Sequence, residues 1–491
     1  ERDRARLLSE ALERDRAEIE ELAVVAPAIS ARYREVVSHL HWLESKEMTH
    51  EERLADGTLV REALAAAHNS LQEVIREIQQ RPGYERFLCA PVWGDVSAGL
   101  GKAPLVYMVA TPVGGLALLV WPDDEVSALW LDALTQGALR EQVSGREEAQ
   151  DGYIATYRSW REALSSSSAR MAWPGKLADT IGWLRQALMD PVCQALEQRR
   201  TAQAVLIPTG LLTLLPLHAI ESPIVLIYAP NARFLARARP APKSVTPRIL
   251  VVSNPNPSGQ LNLRFSGIEA AAIREMLPNI EQRYLVGTEA TGSNVLEQLP
   301  LCDAWHLITH GKANWRDALD SCLLMANEDA IALRQLMSLR TRASLAVLSA
   351  CETTAYDVDV PDEVISLATT GMLQAGAACV VSSSWAVEDL STAILMRRFY
   401  EELAGRRDGH PKSVAIALHL AQAWFRGLML HEARSLLLEL MSDPSVSASV
   451  QMAILGQFVA LESRGDRPFA HPYYWAGFCA TGNAFATLAN E

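Results

Sequence analysis

The sequence predicts an α/β fold with a mostly parallel sheet flanked by helices. Short apolar runs, typical of strands that are buried on both faces, alternate with helical stretches through most of the chain. In the C-terminal part, the predicted strands lie at 249–253, 304–309, 345–350 and 379–383. Two of these runs end abruptly on a reactive side chain. Open parallel sheets bind ligands just beyond the carboxyl ends of their strands, so we expect the site at that edge.

The two reactive side chains are a histidine and a cysteine. His310 and Gly311 follow the run at 304–309, and Cys351 follows the run at 345–350. If these strands are neighbours in a parallel sheet, the imidazole and the thiol face each other at one edge. A cysteine beside a histidine is the arrangement of an activated thiolate nucleophile. The pair therefore predicts a cysteine peptidase.

Further motifs surround this pair in a definite order. They are Ala204-Val205-Leu206-Ile207-Pro208, Leu215-Pro216-Leu217-His218-Ala219, Ser266-Gly267-Ile268-Glu269-Ala270, Gly376-Ala377-Ala378-Cys379-Val380-Val381, Ser384-Trp385-Ala386-Val387-Glu388-Asp389 and His471-Pro472-Tyr473-Tyr474-Trp475. Together with His310-Gly311 and Cys351-Glu352-Thr353, they resemble the CHAT family of caspase-like and separase-like peptidases, which often follow tetratricopeptide repeats. The resemblance extends over about residues 200 to 485.

The resemblance implies a caspase-like fold and a catalytic dyad of His310 and Cys351. It requires no third catalytic residue, although an acidic residue that orients His310 stays open. The backbone amides of Gly311 and Cys351 are the expected oxyanion hole, because Gly311 has no side chain to block an approaching carbonyl. One such donor stabilises the transition state by about 3 kcal/mol. We expect no cofactor and no metal ion, and the sequence has no Cys-x-x-Cys pair.

Acidic residues near the predicted catalytic strands are candidates for the substrate pocket. We single out Asp389, and with it Glu352 and Asp359. An acidic pocket would select Arg or Lys before the cut. The alternative is that Asp389 only begins a helix, where negative charge is favourable in any case.

The chain is expected to contain three parts and a linker. The boundaries are 1–83 for a helical segment, 84–238 for a companion domain, 239–248 for the linker and 249–491 for the peptidase domain. The helical segment is rich in Ala, Leu, Glu and Arg, and we expect the natural protein to continue before it with helical repeats. By analogy with separase-like proteins, the companion block is interpreted as an inactive protease-like α/β domain. A plain structural domain describes it equally well.

Local patterns give more detail within the companion and peptidase blocks. A hairpin is predicted at 105–121 and helices near 124–142 and 176–199. Helices are expected over most of 389–465, and a last strand at 475–480. A cysteine in an apolar strand is usually a small buried side chain, so Cys302, Cys322 and Cys379 are expected in or near the core. His306 is expected to be a hydrogen-bonded core histidine.

Composition narrows the classes of function. The net charge of −13 argues against a nucleic-acid surface. Seven cysteines without paired spacing indicate a reducing compartment, hence a cytoplasmic location. The apolar stretch at 105–121 is broken by Pro112 and two glycines, so no membrane span is expected.

These observations lead to one principal hypothesis. The chain is predicted to be a regulated cysteine endopeptidase that cuts specific protein partners, with a sensor or a helical-repeat partner that activates it. A role in bacterial defence or cell death follows from the family resemblance alone. The alternative, from another class, is a catalytically silent caspase-fold scaffold for protein–protein interaction. An intact His310 and Cys351 favour the enzyme.

Overall fold

The computed structural model describes most of the chain. The described residues are 22, 25–45, 57–85, 87, 92–146, 151–162, 172–238, 247–256, 262–312, 314, 320–339, 341–350, 371–443 and 446–488. The chain is divided into two compact units, one of which ends at Val92 while the other begins at Trp93. Each unit has its own hydrophobic core.

The N-terminal unit is built on two helices, α1 (Pro27–Ser45) and α2 (Gly57–Gln79). An apolar stripe with helical spacing faces inward from α2 and includes Leu71, Val74 and Ile78. Tyr33 and Phe87 meet edge to face at 5.6 Å between ring centroids. The helical character predicted from the sequence is confirmed for these residues.

The larger unit contains fourteen strands in the described ranges. They are β1 (Leu105–Thr111), β2 (Gly114–Val120), β3 (Val126–Leu131), β4 (Gln203–Pro208), β5 (Val225–Tyr228), β6 (Arg248–Ser253), β7 (Glu281–Val286), β8 (Ala304–Ile308), β9 (His310–Lys312), β10 (Cys322–Leu324), β11 (Ala330–Ala332), β12 (Leu345–Ser349), β13 (Cys379–Ser383) and β14 (Phe478–Gly482). Eleven of them form one sheet in the order β3-β2-β1-β4-β5-β14-β13-β12-β8-β6-β7, and the others form a small sheet in the order β11-β10-β9.

The large sheet is mostly parallel, which confirms the predicted fold class. Its antiparallel pairs are β1 with β2, β2 with β3, and β13 with β14. We call β1 to β5 the companion half and the strands β14-β13-β12-β8-β6-β7 the site half. The halves join where β14 runs parallel to β5, with Thr481 opposite Tyr228. The predicted companion and peptidase blocks thus share one sheet, and their division into separate domains stays a prediction.

Helices pack around this sheet. They are α3 (Trp93–Ser97), α4 (Gln136–Ser144), α5 (Tyr153–Glu162), α6 (Ala172–Leu184), α7 (Asp190–Gln198), α8 (Ala232–Arg237), α9 (Ser266–Met276), α10 (Gly292–Gln298), α11 (Leu333–Ser338), α12 (Leu373–Ala375), α13 (Asp389–Leu403), α14 (Val414–Gly427), α15 (Leu430–Ser442), α16 (Ala448–Glu462) and α17 (Pro472–Trp475). A π-helical turn, Arg185–Met189, joins α6 to α7. None of the helices in the described part of the chain has the length and apolarity to span a membrane.

One predicted helix is wrong. The stretch near 124–142 begins with strand β3, and only its end is helical, in α4. Val126 and Trp130 are exposed on this edge strand, while Leu131 is buried. The acidic residues before β3, which would suit a first helical turn, form the tight turn of a hairpin instead. Asp124 has a φ of 64° there, and the Trp121 amide donates to the Glu125 carbonyl at 2.8 Å.

Local sequence explains how several elements begin and end. The side chains of Thr135, Asn231 and Thr291 accept hydrogen bonds from the first turns of α4, α8 and α10, which satisfies amides that have no partner within a helix. Gly376 ends α12 with a φ of 122°, and a Cβ there would lie 2.0 Å from the Thr341 carbonyl oxygen. Only glycine fits this tight connection into β13.

Candidate active site

The two predicted catalytic motifs lie on neighbouring strands. β8 and β12 are adjacent and parallel, and Ile308 pairs with Ser349 at their carboxyl ends. His310 follows Ile308 by two residues, and Cys351 follows Ser349 by two residues. Cys351 lies outside the described residues, as do Glu352 and Asp359. The structure therefore places the strand ends that lead into the candidate dyad side by side.

His310 is held in the small sheet. It is the first residue of β9 and pairs with Leu324 of β10, while Gly311 pairs with Leu323. The buried Thr309 hydroxyl donates to the Leu324 carbonyl and fastens the turn between β8 and β9. Both His310 and Gly311 remain partly exposed. His310 thus lies just beyond the carboxyl end of β8, and its own strand β9 pairs with β10 on one side.

The end of β12 is fixed by a neighbouring serine. Ala350 is buried, and its carbonyl accepts a hydrogen bond from the Ser383 hydroxyl of β13 at 2.7 Å. Beyond β13, the Ser384 amide donates to the Gly477 carbonyl at 2.7 Å. The Ala386 amide donates to the Tyr157 hydroxyl of α5 at 3.0 Å. The segment that leads to α13 is thereby tied to helix α5 and to Gly477, directly before β14.

Asp389 and Glu388 stand together at the start of α13 but have different surroundings. The guanidinium of Arg464 contacts both oxygens of Glu388, at 2.7 and 3.3 Å. Asp389 accepts a hydrogen bond from the Phe265 amide at 3.1 Å, just before α9. Burial raises the pKa of Asp389 to about 6, and the nearby Glu269 carboxylate adds to this rise. In the contacts of the described residues, Glu388 is therefore paired with a cation, whereas Asp389 is paired with a backbone amide.

A buried polar cluster beneath the strand ends was not predicted as a group. Glu269 of α9, His306 of β8, Ser349 of β12 and Tyr400 of α13 are all buried. The prediction that His306 is a hydrogen-bonded core residue is confirmed, since its ring nitrogens contact Tyr400 and Glu269. The sequence did hold one signal. Glu269 is an acidic residue among the apolar positions of α9, where a buried carboxylate needs donors.

Several other titratable side chains are buried or partly buried outside the candidate site. Burial raises the pKa of Cys302 and Cys479 to about 11, and raises that of Cys379 further. Cys302, Cys322 and Cys379 are buried or partly buried, as predicted. His471 accepts a hydrogen bond from the Tyr473 amide and begins α17. Within the described ranges, no group of three His, Cys, Asp or Glu side chains is arranged to hold a metal ion.

Comparison with known families identifies the family of the chain. A parallel sheet with a histidine after one strand and a cysteine after its neighbour is the arrangement that the sequence motifs predicted. A family model for the CHAT domain matches residues 178–483, which is more than half of the chain. The chain belongs to the CHAT-domain family. No curated protein matches it significantly.

Two solved structures to which the chain is similar are a separase complex and a gingipain. The separase–securin complex of Saccharomyces cerevisiae has a TM-score of 0.48 and 10% identity, over 81% of this chain and 36% of the separase chain. The Arg-specific cysteine proteinase gingipain R has a TM-score of 0.36 and 9% identity, over 61% of this chain and 68% of its own. The chain thus spans about a third of the separase chain.

Proposed function

We propose that this protein is a cysteine endopeptidase whose dyad is His310 and Cys351. The observation that carries the proposal is the register of β8 and β12, in which Ile308 and Ser349 pair directly before the two candidates. The chain's membership of the CHAT family agrees with it. A free thiol with a pKa near 8.5 is only a few per cent thiolate at neutral pH. A neighbouring imidazole would increase the fraction of reactive thiolate.

The proposed reaction has two steps. The Cys351 thiolate attacks the carbonyl carbon of the scissile peptide bond, and the carbonyl electron pair moves to oxygen. The amides of Gly311 and Cys351 donate to this oxyanion. His310 gives a proton to the departing amine as the C–N bond breaks, which leaves an acyl-enzyme thioester. Water, deprotonated by His310, then hydrolyses the thioester and releases Cys351.

The proposed substrate pocket is acidic. Asp389 is its principal residue, because Arg464 already neutralises Glu388. With a pKa of about 6, Asp389 is mostly ionised at neutral pH and suits a basic residue before the cut. Glu352 and Asp359 are proposed as further members. The hydrogen bond from the Phe265 amide to Asp389 supports the alternative that Asp389 has only a structural role at the start of α13. The pocket is therefore tested separately from the dyad.

Partners, location and biological role belong to the same proposal. A protein substrate and an activating sensor or helical-repeat partner are proposed, and the helical N-terminal unit is the expected docking part. The separase structure to which the fold is similar is a complex with the protein securin. A cytoplasmic location and a role in bacterial defence or cell death rest on the cysteine usage and the family resemblance.

The experiment that tests this function is cleavage of co-expressed proteins from the gene's own neighbourhood, with and without candidate activators. We expect cleavage by the wild type, and none by Cys351→Ala or His310→Ala. Cys322→Ala is the matched control, since it removes a partly buried thiol of β10 whose pKa is raised by burial. This control should cut like the wild type.

The mapped cut tests the pocket. A basic residue before the cut, and a loss of that preference in Asp389→Asn, would support the acidic pocket. A cut after a neutral residue would refute the pocket and leave the dyad intact. If no protein is cut and Cys351 fails to react with an electrophilic thiol reagent under every condition, the silent scaffold becomes the better description.

A further inference from the structure

A chain of four buried side chains connects two helices to the two strands of the candidate site. The Nε2 atom of His306 lies 2.7 Å from Oε1 of Glu269, and the Nδ1 atom lies 2.6 Å from the Tyr400 hydroxyl. The Ser349 hydroxyl donates to the second oxygen of Glu269 at 3.1 Å. The exposed fractions are 2% for Glu269, 0% for His306 and 7% for Ser349. We call these four residues the Glu269 cluster.

The polar atoms of the cluster are paired with one another. A carboxylate oxygen accepts and a ring N–H donates, so Nε2 of His306 is the donor toward Glu269. The Tyr400 hydroxyl lies at Nδ1, the other ring nitrogen. Burial, with the Glu269 charge beside it, raises the pKa of Tyr400 well above its usual value and keeps this hydroxyl protonated. Each oxygen of Glu269 thus has its own donor, one from each strand.

Glu269 fixes the two strands relative to each other. Through His306 it is tied to β8, four residues before His310, and through Ser349 to β12, two residues before Cys351. His306 pairs with Val347 of β12, and Ser349 lies two residues further along β12, on the same face of the sheet as Val347. His306 and Ser349 therefore approach the Glu269 carboxylate from adjacent strands. A backbone ladder alone fixes spacing but leaves some freedom in the tilt of the strand ends. A carboxylate that holds both strands from one helix removes that freedom.

We infer that Glu269 is a positioning residue, whose carboxylate aligns the strands that carry the two members of the proposed dyad. The inference rests on the proposed function. An apolar side chain would fill the same space without the cost of desolvating a charge, so stability alone does not explain a carboxylate here. Its directional bonds do explain it, because small displacements between reacting groups reduce rates strongly. A misplacement of about 1 Å can cost about a hundredfold.

The test measures the reactivity of Cys351 and needs no known substrate. The rate of alkylation of Cys351 by iodoacetamide is followed by mass spectrometry of its peptide from pH 5 to 9, in the full chain. In Ser349→Ala we expect a decrease of about tenfold at pH 7, and in Glu269→Gln about a hundredfold. In both variants the profile should shift toward the ordinary thiol pKa of about 8.5. Ser349→Thr keeps a hydroxyl and should restore the rate to within about threefold of the wild type.

A matched control separates positioning from mere stability. Ser222 is a buried serine of the companion half whose hydroxyl accepts from the Ile224 amide at 3.1 Å and contacts the Cys193 sulfur. Ser222→Ala should lower the melting temperature about as much as Ser349→Ala and leave the alkylation of Cys351 unchanged. Since Ser349→Ala removes only one oxygen atom, it keeps the test valid even if Glu269→Gln does not fold.

The possible outcomes are distinct. If His310→Ala slows alkylation while Glu269→Gln and Ser349→Ala react like the wild type, the positioning role is overturned and the dyad stands. The positioning role is also overturned if Ser222→Ala slows alkylation as much as Ser349→Ala. If His310→Ala itself leaves the rate and the pH profile unchanged, the dyad fails, and the role of Glu269 fails with it.

Discussion

In each half of the larger unit, one histidine contacts a tyrosine, and the ring centroids lie 5.5 Å apart in both pairs. In the companion half, Nδ1 of His218 lies 3.0 Å from the Tyr228 hydroxyl, and in the site half Nδ1 of His306 lies 2.6 Å from the Tyr400 hydroxyl. The pairs differ at the other ring nitrogen. His218 contacts the Ala476 carbonyl, whereas His306 contacts the Glu269 carboxylate.

Because of this difference, His218 has a structural role, whereas His306 belongs to the Glu269 cluster beneath the candidate site. Burial lowers the pKa of His218 to about 4, and its bond to a neutral carbonyl offsets only part of that fall. His218 therefore stays neutral and joins the two halves, since Ala476 lies just before β14. His306 instead belongs to a cluster that contains a buried acid and reaches both candidate strands. The same pair of side chains serves different purposes because its third partner differs.

The largest expected difference between the halves is in catalysis. Cys351→Ala should lower the rate of cleavage by at least about a thousandfold, because it removes the proposed nucleophile. Cys193→Ala, in the companion half, removes a thiol whose pKa burial raises, and should leave the rate unchanged. Single-turnover cleavage of a mapped substrate by both variants makes the comparison. Equal losses in the two variants would contradict the assignment of Cys351.

The next difference is in stability. His306→Leu should lower the free energy of unfolding by about 3 to 5 kcal/mol, since it leaves the buried Glu269 carboxylate without its main donor. His218→Leu should cost about 1 to 3 kcal/mol, because it leaves neutral groups without partners. Urea unfolding of the two variants measures both values. A larger loss from His218→Leu would show that the acid does not decide the difference between the pairs.

A smaller and more selective effect is expected from the tyrosines. Tyr228→Phe should cost about 1 kcal/mol of stability, and Tyr400→Phe about 1 to 3 kcal/mol because Nδ1 of His306 then lacks a donor in the core. Only Tyr400→Phe should also slow the alkylation of Cys351. Melting curves and alkylation rates of the two variants provide the measurement. Equal alkylation rates would separate Tyr400 from the positioning role.

A pH dependence of the free energy of unfolding is also expected in the companion half. The pKa of His218 is about 4 when folded and about 6.5 when unfolded, so the unfolded chain binds this proton first. The free energy of unfolding should therefore fall as the pH decreases from 6.5 to 4, and this part of the slope should be absent above pH 6.5. In His218→Gln the decrease should be shallower. Identical slopes in wild type and variant over this range would contradict the lowered pKa.

Much of the fold could be predicted from the sequence, because strands that are buried on both faces consist of continuous apolar runs. Strands β6, β8, β12 and β13 agree with the predicted ranges within one residue at each end, because buried parallel strands have few polar positions. The sequence predicts a helix where the edge strand β3 lies, because an edge strand exposes alternate residues and its acidic turn resembles a helix start. The very short strands β9 to β11 were not predicted, since three residues carry no usable periodicity.

The sequence by itself determined the class of fold, the family and the two candidate catalytic residues. These depend on local runs and on motifs that are contiguous in the chain. Only the tertiary structure decided that Ile308 and Ser349 pair in register and that both halves share one sheet. It also brought Glu269, His306, Ser349 and Tyr400 together from four separate elements. Hydrogen bonds between such distant residues depend on the packing of helices on a sheet, and no local pattern in the sequence encodes that geometry.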